Sequence, residues 1–295
     1  MAVKAKRDHY TEITNTLVSA IESALAENTK LPWHKPWKSA GAMRNGVSNR
    51  QYRGINTLIL AMTPFNDPRW FTFNQIKKIG GNVKGQKSTC ILRPVVINKK
   101  DENGNKTDDT FMIFKGMPIF NKEQVSGVEF PSLEVKSDNQ RNHKAEDVII
   151  DTNAKINHGG DRACYSPDLD LINLPSFDSF ESADHYYSTA FHELGHWTGH
   201  ESRLDRPLNE GRFGNEAYAF EELVAELTAS FVCRDLAIDT MQRDDHAAYL
   251  KSWLKVLQND TKAIFRASSL AETATKEIIG QHAEDTELVK ELVAE

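Results

Sequence analysis

The chain has 295 residues, of which 39% are hydrophobic and 26% charged, and a net charge of −6 at pH 7. This is length enough for two ordinary domains and a composition suited to a globular, soluble protein. No window approaches the ~18 to 20 apolar residues of a membrane span, and the opening MAVKAKRDHY lacks the apolar run of a secretory signal.

Three scattered cysteines (Cys90, Cys164 and Cys233) with no C-x-x-C exclude a cysteine-built zinc finger and read as small buried residues in a reducing cytosol. A cytoplasmic protein without a membrane partner is expected. The net charge hides a division. Residues 1–100 hold 17 Lys and Arg against 5 Asp and Glu, and the remainder holds 19 against 37. Such asymmetry suggests a nucleic-acid-binding region joined to something chemically different.

Tyr10, Ile13, Leu17, Ile21 and Ala24 recur at helical spacing and predict an amphipathic helix over 8–27. The two prolines of LPWHKPWK bar its continuation. GINTLILAM (54–62) reads as a buried helix, and FTFNQIKKIGG as a helix stopped by glycine. CILRPVVI and TFMIFKGMPIF read as strands, with KKDENGNKTDD between them as a polar hairpin loop. The apolar-poor VKSDNQRNHKAED marks a domain boundary near 130–142. RACYSPDLDLINLP (162–175) has strand character, and helices are expected at 184–200, 216–236, 243–266 and near 270–292. The fold class is therefore α+β, with a small strand region followed by helices in the second half.

FHELGHWTGH carries the first chemical signal. On a helix, His192 and His196 lie one turn apart on one face, so both imidazoles can reach one metal ion. Glu193 is displaced by about 100° around the axis, which suits a general base beside the metal. Zinc is the expected ion, with another divalent metal such as Mn2+ as the alternative.

A third ligand is needed, and FEELVAELTASFVC (220–233) offers one. Phe220, Leu223, Val224, Leu227 and Phe231 share a face. Glu222, Ala225, Glu226, Ala229 and Cys233 share the opposite face, whose small residues permit close approach of another helix. Glutamate zincins as a class carry the ligand Glu on a second helix with a small residue three positions on, and Glu222 with Ala225 is similar to that pattern. Glu226, one turn further, then accepts a hydrogen bond from a ligand histidine, or ligates in its place. His200 continues the spacing of four and is the remaining candidate, although Gly199 weakens the helix there. The chemistry implied is hydrolysis of a carbonyl compound, with Tyr218, Tyr186, His185 and Arg203 as candidate oxyanion donors and RACYSPDLD as a candidate edge strand for an extended peptide.

The N-terminal half interleaves rings with cations: Trp33, His34, Lys35 and Trp37, then Arg50, Tyr52 and Arg53, then Arg69, Trp70, Phe71 and Phe73. Single-stranded nucleic acid is bound by cations that track phosphates and rings on which bases stack. The expected DNA-binding set is Trp33, Lys35, Trp37, Arg50, Tyr52, Arg53 and Trp70. Lys84 and Lys87 join it from the glycine-bearing loop KKIGGNVKGQKST, which misses the P-loop pattern because Gln86 stands where lysine should follow Gly85.

PWHKPW, NRQYRGINTLIL, RWFTFNQIKKIGGNVKGQKST, FHELGHWTGHESRLDR and FGNEAYAFEELVAELTASF together resemble the ArdC-type antirestriction proteins of conjugative plasmids. The first three also resemble the N-terminal part of TraC-type plasmid primases. The resemblance implies a single-stranded-DNA-binding domain and a zincin-like, SprT-like metallopeptidase domain. With the boundary above, these occupy 1–130 and 143–295, joined by a linker at 131–142. It also implies a role in protecting incoming plasmid DNA from host restriction, and its metal motif falls on His192, Glu193 and His196. Two functional readings stand: a DNA-associated metalloprotease with a protein substrate, and a DNA-binding shield whose metal domain is structural. A metal-dependent nuclease fits poorly, since two-metal phosphoryl chemistry needs clustered carboxylates.

Overall fold

The computed structural model describes residues 8–27, 42–100, 106–131, 141–208, 216–239 and 246–280. PWHKPW, with Trp33, Lys35 and Trp37, lies outside them. Helix α1 (His9–Glu27) buries Leu17, Ile21 and Ala24 of the predicted stripe together with Thr14, while Tyr10 and Ile13 are only partly buried. Strand β1 (Arg44–Asn45) leads to α2 (Ile55–Ala61), buried at five successive positions from Thr57 to Ala61. Strand β2 (Arg69–Thr72) passes directly into α3 (Phe73–Lys78). A helix was expected over the whole of FTFNQIKKIGG, but Phe71 and Thr72 belong to the strand. The reason is local: the Thr72 hydroxyl accepts from the Gln75 N–H while the Gln75 side chain accepts from the Thr72 N–H, a reciprocal cap that starts the helix at Phe73.

Strands β3 (Thr89–Lys100) and β4 (Lys106–Asn121) form an antiparallel ribbon longer than expected. Its ladder reaches Lys100 opposite Lys106, so polar residues read as loop are drawn into pairing. The first sheet has the order β1-β2-β4-β3.

The second half begins with α4 (His143–Asp151), capped by the Asn142 side chain accepting from the Ala145 N–H. Strands β5 (Lys155–His158), β6 (Cys164–Ser166) and β7 (Leu171–Leu174) form a second sheet of order β5-β7-β6. RACYSPDLDLINLP is thus two antiparallel strands joined by a tight turn over Pro167–Leu169.

Four helices complete the described chain: α5 (Ala183–Trp197), α6 (Glu216–Asp235), α7 (His246–Asn259) and α8 (Ala263–Ile279). Three of these helices differ in their bounds from the sequence reading, the first because α5 ends at Trp197 and not at 200. The helix expected over 243–266 breaks after Asn259, where the Asp260 carboxylate accepts from the Lys262 N–H and turns the chain. The last helix starts earlier than expected and stops at Gly280, whose φ of 75° suits glycine. Cys233 is buried as expected, whereas Cys90 and Cys164 are only partly so. No described helix is long and apolar enough to cross a membrane.

The two halves share a core. Leu17, Leu58, Trp70 and Ile91 pack in one cluster with Leu223, Leu227, Phe231, Trp253 and Ile264. A second cluster joins Ile172, Leu174, Phe191 and Leu194 to Ala229, Val232 and Cys233. Helix α6 contributes to both, one face toward the N-terminal half and the other toward α5. The latter contact is close, since a Cβ on Gly195 would stand 3.0 Å from the Ala225 Cα. Two small residues therefore bring α5 and α6 together at the level of the histidines.

Candidate metal centre and nucleic-acid surface

Helix α5 is capped by Ser182, whose hydroxyl accepts from the His185 N–H, and its C-terminal half carries the histidines. The two Nε2 atoms, of His192 and His196, lie 3.2 Å apart. The Glu222 carboxylate, on α6, lies 3.5 Å from His192 Nε2 and 3.6 Å from His196 Nε2. Among the described residues these three form the one group of His, Cys, Asp or Glu donors clustered tightly enough for a metal ion, all within 4.8 Å of one another. Donor atoms this close together could all reach one ion. Two imidazoles and one carboxylate also make a donor set that suits zinc with an open position. The residues therefore fit a divalent metal.

The electrostatics favour a cation. Burial works against a protonated His196, but the neighbouring Glu221, Glu222 and Glu193 outweigh it and raise its pKa above the ordinary imidazole value. Burial pushes Glu222 up, yet His192 and His196 carry it down to about 2, so the carboxylate stays ionised. Glu193 is 3% exposed and lines the same cleft.

Glu226 Oε2 sits 3.4 Å from His192 Nδ1, the ring nitrogen turned away from the cluster, without hydrogen-bond alignment. His200 does not join the ligands, which corrects its candidacy. Helix α5 ends at Trp197, and the next residues fold into turns in which His200 Nδ1 pairs with the Ser202 hydroxyl at 2.8 Å. Replacing His200 with alanine is expected to leave metal affinity unchanged in a chelator competition; a loss of metal there would contradict this geometry.

The cleft has a volume of about 920 Å³ and is walled by Ala163, Cys164 and Tyr165, by Phe180 and His185, and by Tyr218. Strand β6 has a partner on one side only among the described residues, and it borders this cleft. Of the four candidate oxyanion donors, His185 and Tyr218 line the cleft. Tyr186 instead pairs with His158 Nε2 at 2.9 Å. Arg203 is engaged by Asp170, by the Tyr165 hydroxyl at 3.3 Å and by the Trp197 carbonyl at 2.6 Å.

The sequence reading missed Glu221 and Arg206. Glu221 contacts His196 Nδ1 at 3.3 Å, and the buried Arg206 holds its carboxylate with two hydrogen bonds, at 3.0 and 2.9 Å. Helical phase obscured Glu221, one residue before the expected ligand. No local pattern marks Arg206, which is brought back by the turn at 198–205.

The expected DNA-binding set divides. Arg50, Lys84 and Lys87 are exposed. Trp70 is 1% exposed within the core and offers no face to a base, a correction that follows from its inward position on β2. Tyr52 is half-buried against the same cluster, with its hydroxyl accepting from Asn45. Arg53 pairs with Glu272 at 3.0 Å, and the adjacent Gly54 N–H donates to the same carboxylate at 3.1 Å, so this cation ties the N-terminal half to α8. Phe73 is the exposed ring of its segment, at 56%, because it sits on the first turn of α3 while Phe71 points into the core.

A model of the N-terminal domain of anti-restriction factor ArdC matches residues 7–120, and a zincin-like metallopeptidase model matches residues 143–270. Two Escherichia coli proteins named DNA primase TraC are 38% and 37% identical over 90% and 91% of this chain. The chain spans only 20% and 27% of their length. The Sinorhizobium fredii protein y4eC is 33% identical over 90% of this chain and 89% of its own. The metal-free crystal structure of the antirestriction protein ArdC from plasmid R388 superposes with a TM-score of 0.78 at 32% identity, covering 92% of this chain and 97% of that one. Its Mn(II)-bound structure gives 0.75 at 31% identity, covering 94% and 99%. From the N-terminal module through α5 and α6, the chain belongs to the ArdC family of antirestriction proteins.

Proposed function

We propose that this protein binds single-stranded DNA entering a cell during plasmid transfer, protects it from restriction, and carries a zinc-dependent peptidase in its second domain. The observation that supports the peptidase most directly is the cleft, where His192, His196 and Glu222 converge beside Glu193 and the edge of β6 that is unpaired among the described residues. A bound zinc ion, or another divalent ion such as manganese, supplies Lewis acidity and makes water deprotonable near neutral pH. The Glu193 carboxylate takes the proton of the attacking water and passes it to the leaving amine nitrogen. His185 and Tyr218 donate toward the carbonyl oxygen as it becomes negative. An extended peptide adds to β6 by main-chain hydrogen bonds.

In the N-terminal domain Arg50, Lys84 and Lys87 follow the phosphates and Phe73 stacks on a base, with Trp33, Lys35 and Trp37 contributing from PWHKPW. Titration of the full chain with a labelled oligonucleotide at several salt concentrations tests this part. Log affinity is expected to fall linearly with log salt, and absent or salt-insensitive binding would sink the nucleic-acid reading. Phe73→Ala is expected to weaken binding by about 1–3 kcal/mol with an unchanged melting temperature. Trp70→Ala is expected to cost about 3–5 kcal/mol of folding stability, because a cavity opens in the shared core.

A further inference from the structure

Zinc-ligating histidines coordinate through one ring nitrogen and give the proton on the other to an acceptor. For His196 that acceptor is in place. Its Nε2 faces His192 and Glu222, and its Nδ1 lies 3.3 Å from Glu221 Oε1. Glu221 is itself held: Oε1 accepts from Arg206 Nη2 at 2.9 Å, and Oε2 accepts from Arg206 Nε at 3.0 Å. Arg206 also reaches α5 and its C-terminal cap, giving Nη2 to the Gly195 carbonyl at 2.7 Å and Nη1 to the Thr198 hydroxyl at 2.9 Å. Gly199 leaves the room for it, since a Cβ there would stand 3.0 Å from Arg206 Nη2. The guanidinium thus binds the end of α5 to the acid on α6.

We propose that Glu221, clamped by Arg206, is the positioning residue that keeps the proton of His196 on Nδ1 and leaves Nε2 open to the metal. The proposal rests on His192, His196 and Glu222 being the ligands. Its chemistry is specific to a carboxylate, because both oxygens face donors. A glutamine has one acceptor and one donor. With its oxygen toward His196 it sets an NH2 against Arg206 Nε. With its NH2 toward His196 it makes Nδ1 an acceptor, which moves the ring proton to Nε2 and blocks ligation. A purely structural pair has no such consequence for the metal.

The test measures Zn2+ affinity of the full chain by chelator competition, with the melting temperature of each metal-free variant as control. Glu221→Gln is expected to lower affinity roughly 10- to 100-fold. The double variant Glu221→Gln with Arg206→Met removes the stranded cation, so its melting temperature should recover above that of the single variant while its affinity stays low. Wild-type affinity in either folded variant overturns the proposal. Should the variants not fold, 15N–1H spectra of the zinc-loaded wild type decide it: a proton on His196 Nδ1 supports it, and zinc on Nδ1 refutes it. His192→Ala separates this idea from its premise. If that variant keeps its zinc, the ligand assignment itself fails; if it loses zinc while the Glu221 variants do not, only the role of Glu221 and Arg206 fails.

Discussion

Glu193→Gln is expected to bind metal as the wild type does and to hydrolyse unfolded protein about 10²- to 10⁴-fold more slowly. The amide keeps the volume of a side chain that is 3% exposed, so packing around α5 is preserved. It can neither take a proton from water nor pass one to the leaving amine, the two steps proposed for this position. The three donors that would hold the metal are His192, His196 and Glu222, and the exchange touches none of them. Metal content by chelator competition and cleavage by single-turnover assay read the two effects separately. Undiminished cleavage would remove Glu193 as the base. The same variant sorts the two readings of the antirestriction role. If it protects incoming DNA as well as the wild type does, protection belongs to strand occupancy and not to hydrolysis.

Gly195→Val is expected to destabilise the fold by about 1–3 kcal/mol and to weaken metal binding together with it. Glycine in mid-helix ordinarily costs about 0.5–1 kcal/mol relative to alanine, so a gain in stability would be the default for filling this position. Here the opposing effect wins. The added Cβ meets the Ala225 Cα at 3.0 Å and the Ala225 carbonyl oxygen at 3.2 Å, and backbone cannot swing aside as a side chain can. The remaining accommodation is separation of α5 from α6, which draws Glu222 away from both histidines. Melting of the metal-free protein and zinc affinity are both measured. A variant more stable than the wild type with unchanged affinity would show that the helix crossing has slack, contrary to the close contact described.

Periodicity made α1 readable, because burial of one face imposes a repeat that survives in the residue order, whereas α2, buried at successive positions, showed as an apolar run and α6, buried on both faces, as two faces of contrasting residue type. The same repeat placed His192 and His196 on one turn and singled out the acids of α6. Boundaries were less readable. The start of α3 depends on the reciprocal Thr72–Gln75 cap, and the break between α7 and α8 on one carboxylate at Asp260. Both are local side-chain to backbone contacts within segments whose hydrophobic pattern runs on undisturbed.

Aromatic residues among cations divide in a way that composition does not reveal. Trp70 and Phe71 are core and Phe73 is exposed, though all three stand within four positions, because the chain changes from strand to helix at Thr72. Arg53 looks like its neighbours in sequence, yet its partner is Glu272, 219 residues away.

By itself the sequence determined the chemistry available to this protein: two histidines one turn apart, a base beside them, acids on a second helix and a cationic, ring-bearing first half. Those properties are local, carried by spacing and residue type. Only the tertiary structure decided which acid meets the histidines, that His200 turns away, and that Arg206 reaches back to hold Glu221. These depend on how closely α5 and α6 cross at Gly195 and Ala225 and on the turns that follow Trp197. Such contacts join residues far apart in the chain, and no local repeat encodes them.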